Sequence, residues 1–273
     1  MPSLPVRLGV VRGLLKEIGV SAREPRPLVV GGARELAGVL RRELSRGSSA
    51  GAVRADDSPE GAAVLVYVLG HAPSPEDDAA LSRARRARVP IVAVTGDDDA
   101  PVPHVLATDI VRVPPGQGFP VDRIADAIAR RLGEDAAPVA AHVPVLRAAA
   151  AAQLIRRFSR RNGIVAAAIF LPGADLPLLT LNELRMLLRL EQAYGLEIDL
   201  RERLPELAAT FGLGFALRAL ARELLDLVPA AGWVIKAAVA YAGTRALGEA
   251  AVLRLEAQAP ESARADSRAR EDP

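Results

Sequence analysis

From residue 27 to about residue 133, short apolar runs alternate with stretches of helical period. PLVVGG (27–32) predicts a strand, and ARELAGVLRREL (33–44) a helix with Leu36, Val39, Leu40 and Leu44 turned inward. AVRAD (52–56) is a short strand, and AAVLVYVLG (62–70) is a continuous apolar run bounded by turn residues. DDAALSRARRAR (77–88) is helical, VPIVAVTGD (89–97) and DIVRVPP (109–115) are strands, and VDRIADAIARRL (121–132) closes the series as a helix. Continuous apolar strands separated by helices call for a parallel sheet covered on both faces.

Beyond residue 133 the strand signals stop. EDAAPVAAHVP (134–144) reads as a linker, and VLRAAAAAQLIRRFSRRNGIVAAAIF (145–170) as one long helix or two. Thr180 and Glu183 have capping-box spacing, with Leu179 and Leu184 placed for a hydrophobic staple, so a helix is expected to start at Thr180 and to stop at Gly195. Further helices are expected from Pro205 to Leu227 and from Pro229 to about Glu256, and residues 259–273 read as a disordered tail. At the other end, residues 5–19 place Val6, Val10, Leu14 and Ile18 on one face of a helix and Arg7, Arg12 and Lys16 elsewhere. Such a helix docks on a domain or lies on a membrane surface.

Composition narrows the chemistry. The 273 residues are 50% apolar and only 3% aromatic, so cores are built from Ala, Val, Leu and Ile. A net charge of +2 gives no nucleic-acid footprint, and without cysteine there is no disulfide, thiolate metal site or cysteine nucleophile. No secretory signal stands at the start, and no segment is a clean membrane span: the best, Asn162 to Ala174, runs straight into Asp175. There is no HExxH, no nucleophile elbow and no Ser/His/Asp arrangement, and His104 and His142 read as surface or linker residues.

In element order the first half resembles a small G domain. PLVVGGARELAG stands in the place of the phosphate loop, VPIVAVTGDDD in that of the strand leading to the guanine-reading motif, and VPPGQGFPVDRIADAI in that of the last strand and helix. The chemistry of that family is missing. A phosphate loop places Gly, Lys and Ser/Thr where this chain has Ala37, Gly38 and Val39 after Gly32, and Thr95-Gly96-Asp97-Asp98 has no Lys where the guanine reader needs one. Lys16 and Lys236 are the only lysines, so no shift of alignment supplies either motif. Gly31 and Gly32 are read instead as a tight strand-to-helix turn. The strand ends carry Asp56, Asp57, His71, Asp97, Asp98 and Asp99, an acidic rim that reads as solvated loops and caps or, alternatively, as a divalent-metal site for a nucleotide or phosphate.

LPGADLPLLTLNELRMLLRLEQAYG (171–195) and RALARELLDLVPAAGWVIKAAVAYAGTRALGEAA (218–251), with LRAAAAAQLIRRFSRRN upstream, resemble the GTPase-associated domain of unknown function found in YcjF-type bacterial proteins. The resemblance implies a helical domain that follows a GTPase-like one and associates with membranes; it implies no reaction. Gly232, Lys236, Ala240, Thr244 and Gly248 lie four apart, as do Ala238, Ala242, Ala246 and Ala250, two small-residue ridges suited to close helix packing. Asp175, Arg218, Arg222, Lys236 and Arg245 are either a structural or surface set or the lining of a polar site between helices, in which a buried Lys236 would pair with Asp175 or Glu223.

The sequence thus predicts an α/β fold, a small doubly wound and mostly parallel sheet over residues 27–133, followed by an all-α domain over 145–258. The expected function is a non-catalytic pseudo-GTPase-like scaffold without a cofactor. The alternatives are metal-dependent phosphate binding on the rim and a membrane-inserted protein of the YcjF type. The expected partners are a protein, either a GTPase or a second copy of the chain, and a membrane surface at the inner face of the cytoplasmic membrane, with no nucleic acid.

Overall fold

The computed structural model describes residues 13, 26–55, 58–70, 72–96, 101–114, 116–168, 176–196 and 232–271. The chain divides into two units, one of Ser21–Gln153 with Ala193–Gly195, the other of Met1–Val20, Leu154–Gln192 and Leu196–Pro273. The expected helices over 5–19 and 205–227 lie outside the described residues, apart from Gly13, which is helical.

The first unit is an α/β fold with five parallel strands: β1 (Leu28–Gly32), β2 (Val53–Ala55), β3 (Val64–Leu69), β4 (Ile91–Thr95) and β5 (Ile110–Arg112), in the order β2-β1-β3-β4-β5. Leu28 pairs with both Val53 and Val64, Leu65 with Ile91, and Ala93 with Ile110. The helices are α1 (Arg34–Leu44), α2 (Pro75–Arg86) and α3 (Val121–Leu132). β3 and β4 are buried along their whole length, as continuous apolar runs flanked by helices require. Val29, Leu65, Tyr67, Ile91 and Ala93 pack with Ala80, Leu81 and Ala84 of α2. The alternate positions Leu28, Val30, Val66, Val68, Val92 and Val94 turn to the opposite face; α1 lies against β1 and β3, and α3 against β3, β4 and β5.

α1 corrects one expectation. Ala37, Leu40 and Leu44 are its buried residues, whereas Leu36 and Val39 are 43% and 39% exposed. All four expected positions fall within a broad apolar arc, and the sheet covers only one side of it. The segment 134–144 is likewise more than a linker. It folds as a short 3-10 turn, the helix α4 (Ala136–His142) and a second 3-10 turn at Pro144–Leu146, with Ala136, Ala137, Val139, Ala140 and Val143 buried. Small apolar residues fit against α3 without the bulk that would have marked a core helix in the sequence.

Helices α5 (Arg147–Ala168), α6 (Leu176–Ala193) and α7 (Gly232–Glu271) follow. α5 is one helix, and α6 stops as expected at Gly195, where φ is +75° and the Leu196 amide donates to the Glu191 carbonyl. α6 begins four residues before Thr180, so Thr180 is an interior helical residue and not a cap. α7 continues through the stretch expected to be a tail, as far as Glu271, since Ala, Arg and Glu are strong helix formers. Of its two small-residue ridges, Ala240, Thr244 and Gly248 are buried, while Ala238, Ala242, Ala246 and Ala250 are exposed. Contact is close enough that a Cβ on Gly248 would stand 2.6 Å from Ile155 Cγ1, and one on Gly163 would stand 3.3 Å from the Ala237 carbonyl oxygen.

The start of α2 carries the clearest local cap. Ser74 Oγ accepts from the Asp77 amide while the Asp77 carboxylate accepts from the Ser74 amide, Ser74 Oγ and Tyr67 Oη. Burial pushes the Asp77 pKa up, but the Ser74 and Tyr67 hydrogen bonds outweigh it, and the net shift is below the ordinary aspartate value. A lowered folded pKa contributes stability that is complete above the unfolded value and is lost as pH falls through the folded one. Urea unfolding at pH values between about 7 and 2.5 is therefore expected to separate wild type from Asp77→Asn most at neutral pH and to bring the two together at the acid end. A second expectation concerns Gly32, whose φ is +99° and where a Cβ would stand 2.1 Å from the Val68 carbonyl oxygen. Gly32→Ala is expected to lose at least about 2–3 kcal/mol in the same unfolding measurement.

Candidate functional site

Strand β1 passes into α1 through a single residue. Ala33 stands between Gly32 and Arg34, has φ −53° and ψ 107°, and makes no side-chain cap. Its amide donates to the Val68 carbonyl at 2.8 Å, and its carbonyl accepts from the Ala37 amide at 2.7 Å. The Gly32 Cα is pressed against the Val68 backbone. A phosphate-binding loop wraps several free amides around the anion. Here the turn has one residue, and its amide is already bonded to β3.

Beside this turn, at the carboxyl ends of β3, β4 and β5, a cleft of about 570 Å³ opens. Leu36, Val39 and Glu43 of α1 form one wall, Val68 to Gly70 and Val94 to Gly96 the floor, and Val113, Pro114 and Gly116 to Phe119 the other wall. Ligands of open α/β sheets bind at this end of the strands. The sequence pointed to this place; the expected acidic rim residues Asp57, His71, Asp97 and Asp98 lie outside the described residues, and the described lining is mostly apolar. Glu43 is the one ionisable side chain among the described lining residues, and it is bonded to Arg46 at 2.8 Å. Leu36 and Val39 were legible as apolar helix positions, but their place in the cleft followed only from which side of α1 the sheet covers.

The helical residues suspected of forming a polar site are spread differently. Asp175, Arg218 and Arg222 lie outside the described residues. Lys236 is half-buried on α7. Arg245 is exposed and bonded through Nε to Glu249 Oε1 on its own helix at 2.7 Å. The described residues instead hold a buried polar cluster that joins three helices. Asn162 Nδ2 of α5 donates to Thr244 Oγ1 of α7 at 2.8 Å and, at 3.5 Å, to the Leu179 carbonyl. Thr244 Oγ1 donates to Glu183 Oε1 at 3.0 Å, and Asn182 Nδ2 to Asn162 Oδ1 at 3.0 Å. Glu183 is therefore turned to α7 and does not serve Thr180. Asn162 and Asn182 went unnoticed in the sequence; an amide within an apolar helical stretch was the signal available.

Two histidines have definite partners. His104, at φ +63°, sits with Nε2 3.2 Å from Asp78 Oδ1 and Nδ1 3.3 Å from Arg85 Nη1. His142 ends α4 with Nδ1 3.4 Å from Ser49 Oγ, beside a small hollow at the opposite end of the strands. A Ser–His pair acts as nucleophile and base when a third group orients the ring; among the described residues no carboxylate bonds to His142. The described residues contain no group of three or more His, Asp or Glu placed to share a metal ion. Among them, too, no helix is long and apolar enough to cross a membrane. Protein-family models, curated proteins and solved structures yield no match to this chain.

The polar cluster is testable by itself. Thr244→Val keeps the side-chain shape but leaves Asn162 Nδ2 and Glu183 Oε1 each one hydrogen bond short in a buried place. It is expected to cost about 2–4 kcal/mol, read from urea midpoints. A change below about 0.5 kcal/mol would show that the cluster contributes little to holding the three helices together.

Proposed function

We propose that this chain is a non-catalytic scaffold or adaptor, with the α/β unit as a protein-docking module and the helical part as a module that associates with a partner or a membrane surface. One observation carries the reading. Where a nucleotide-binding sheet keeps an open loop of amides and a cation, this one has a single-residue turn with its amide bonded to Val68, next to walls of Leu36, Val39 and Phe119. A triphosphate placed there would lose its hydration and meet no cation among the described lining residues. The fold thus keeps the position of a ligand site while its lining favours apolar contact.

The helical part supplies a second strand of support. α5 carries exposed Arg156, Arg157, Arg160 and Arg161 and no acidic residue. Ile164 and Trp233 are 67% and 59% exposed. Solvent-facing arginines together with exposed large apolar side chains suit an association surface.

Isothermal titration of the full chain with GTP and with ATP, each with and without Mg²⁺, tests the proposal. The expected outcome is no saturable heat up to about millimolar nucleotide, a concentration at which binding is worth only about 4 kcal/mol. Micromolar binding of either nucleotide would overturn the scaffold reading.

A further inference from the structure

Resting on the scaffold reading, and naming what its docking site would hold, we infer that the cleft at the strand ends anchors an uncharged apolar side chain presented by an extended segment of a partner protein. At about 570 Å³ the cleft falls in the size range of sites that enclose a ligand rather than graze it. Its apolar lining includes Leu36, Val39, Val94, Val113 and Phe119. Leu36 and Val39 are also exposed on the helix that otherwise buries its apolar residues, so the greasy surface continues from the cleft onto the flank of α1. An anchor filling the cleft and a neighbouring residue lying across α1 would remove both patches from water together.

Charge sets the chemistry of the occupant. Among the described residues Glu43 is the lining's one ionisable group, and its carboxylate is matched by Arg46. An acidic anchor would enter beside a carboxylate with no cation among the described lining residues, and a basic one would have to displace Arg46. An uncharged apolar side chain meets neither cost. The backbone of the occupant is addressed by the glycines. Gly70, Gly96, Gly116 and Gly118 line the cleft without side chains, and this leaves peptide groups within reach of an extended chain, the mode in which main-chain hydrogen bonds give affinity and one pocket gives selectivity.

Panning the immobilised full chain against a phage library of random peptides tests this. Selected peptides are expected to share a Leu, Ile, Phe or Trp flanked by uncharged residues, and a synthetic copy of one is then titrated. Gly118→Phe puts a ring in the cleft at a position where a Cβ meets nothing within 4 Å, so the fold accepts it. Loss of the anchor site is expected to weaken the peptide roughly 30-fold. Leu36→Gln, at an exposed position, is expected to weaken it about 5-fold. Selection of nothing, selection that is equal on Gly118→Phe, or peptides with a charged residue as the shared anchor would each overturn the inference. So would a concentration-dependent dimer, seen by sedimentation, that Gly118→Phe abolishes, since a second copy would then be the occupant. Failed selection with silent nucleotide titrations removes the cleft's role alone, whereas nucleotide binding removes the scaffold reading beneath it.

Discussion

The hydrogen bond from the Ala33 amide to the Val68 carbonyl governs the α/β unit. It ties the first residue after β1 to the end of β3, the neighbouring strand, and leaves no length of chain for a loop. Gly32 is the residue that permits it, since its Cα lies where any side chain would overlap the Val68 backbone. With the turn drawn this tight, α1 starts at once and runs back along the sheet, so that Leu36 and Val39 fall beside the strand ends. The apolar wall that α1 gives the cleft is thus a result of the turn. A longer connection would set the helix further on and present backbone amides at the same place.

The sheet was legible in the sequence because burial on both faces leaves β3 and β4 apolar but for the closing Thr95, bounded by Gly and Pro. The lack of a phosphate-loop or guanine-reading lysine was legible too, since no lysine stands between residues 17 and 235. What the sequence hid was direction. Leu36 and Val39 are apolar and helically spaced just as Leu40 and Leu44 are, and only the width of the covering sheet decides which pair is left outside. Thr180 and Glu183 satisfy a local capping rule, yet Glu183 bonds to Thr244, far away in the chain. Likewise, nothing local distinguished the buried ridge of Ala240, Thr244 and Gly248 from the exposed one of Ala238, Ala242 and Ala246.

The helical part pairs two devices that work in different ways. Gly163 and Gly248 let α5 and α7 approach until backbone meets side chain, which maximises contact but accepts many small shifts in register. The Asn162–Thr244–Glu183–Asn182 cluster accepts few, because a slip of one residue on any of the three helices strands buried donors and acceptors. In an Ala-rich bundle, side-chain shape alone specifies little. Directional bonds at the centre then do the selecting that large interlocking residues perform elsewhere.

The two outermost strands, β2 and β5, are only three residues long, and each pairs with one neighbour. Pro114 and Pro115 follow β5 almost at once. A row of open peptide groups that short gives a foreign strand too little to zip onto. The sides of this sheet therefore give a further molecule little edge to stack upon, whatever the opening at its mouth takes up.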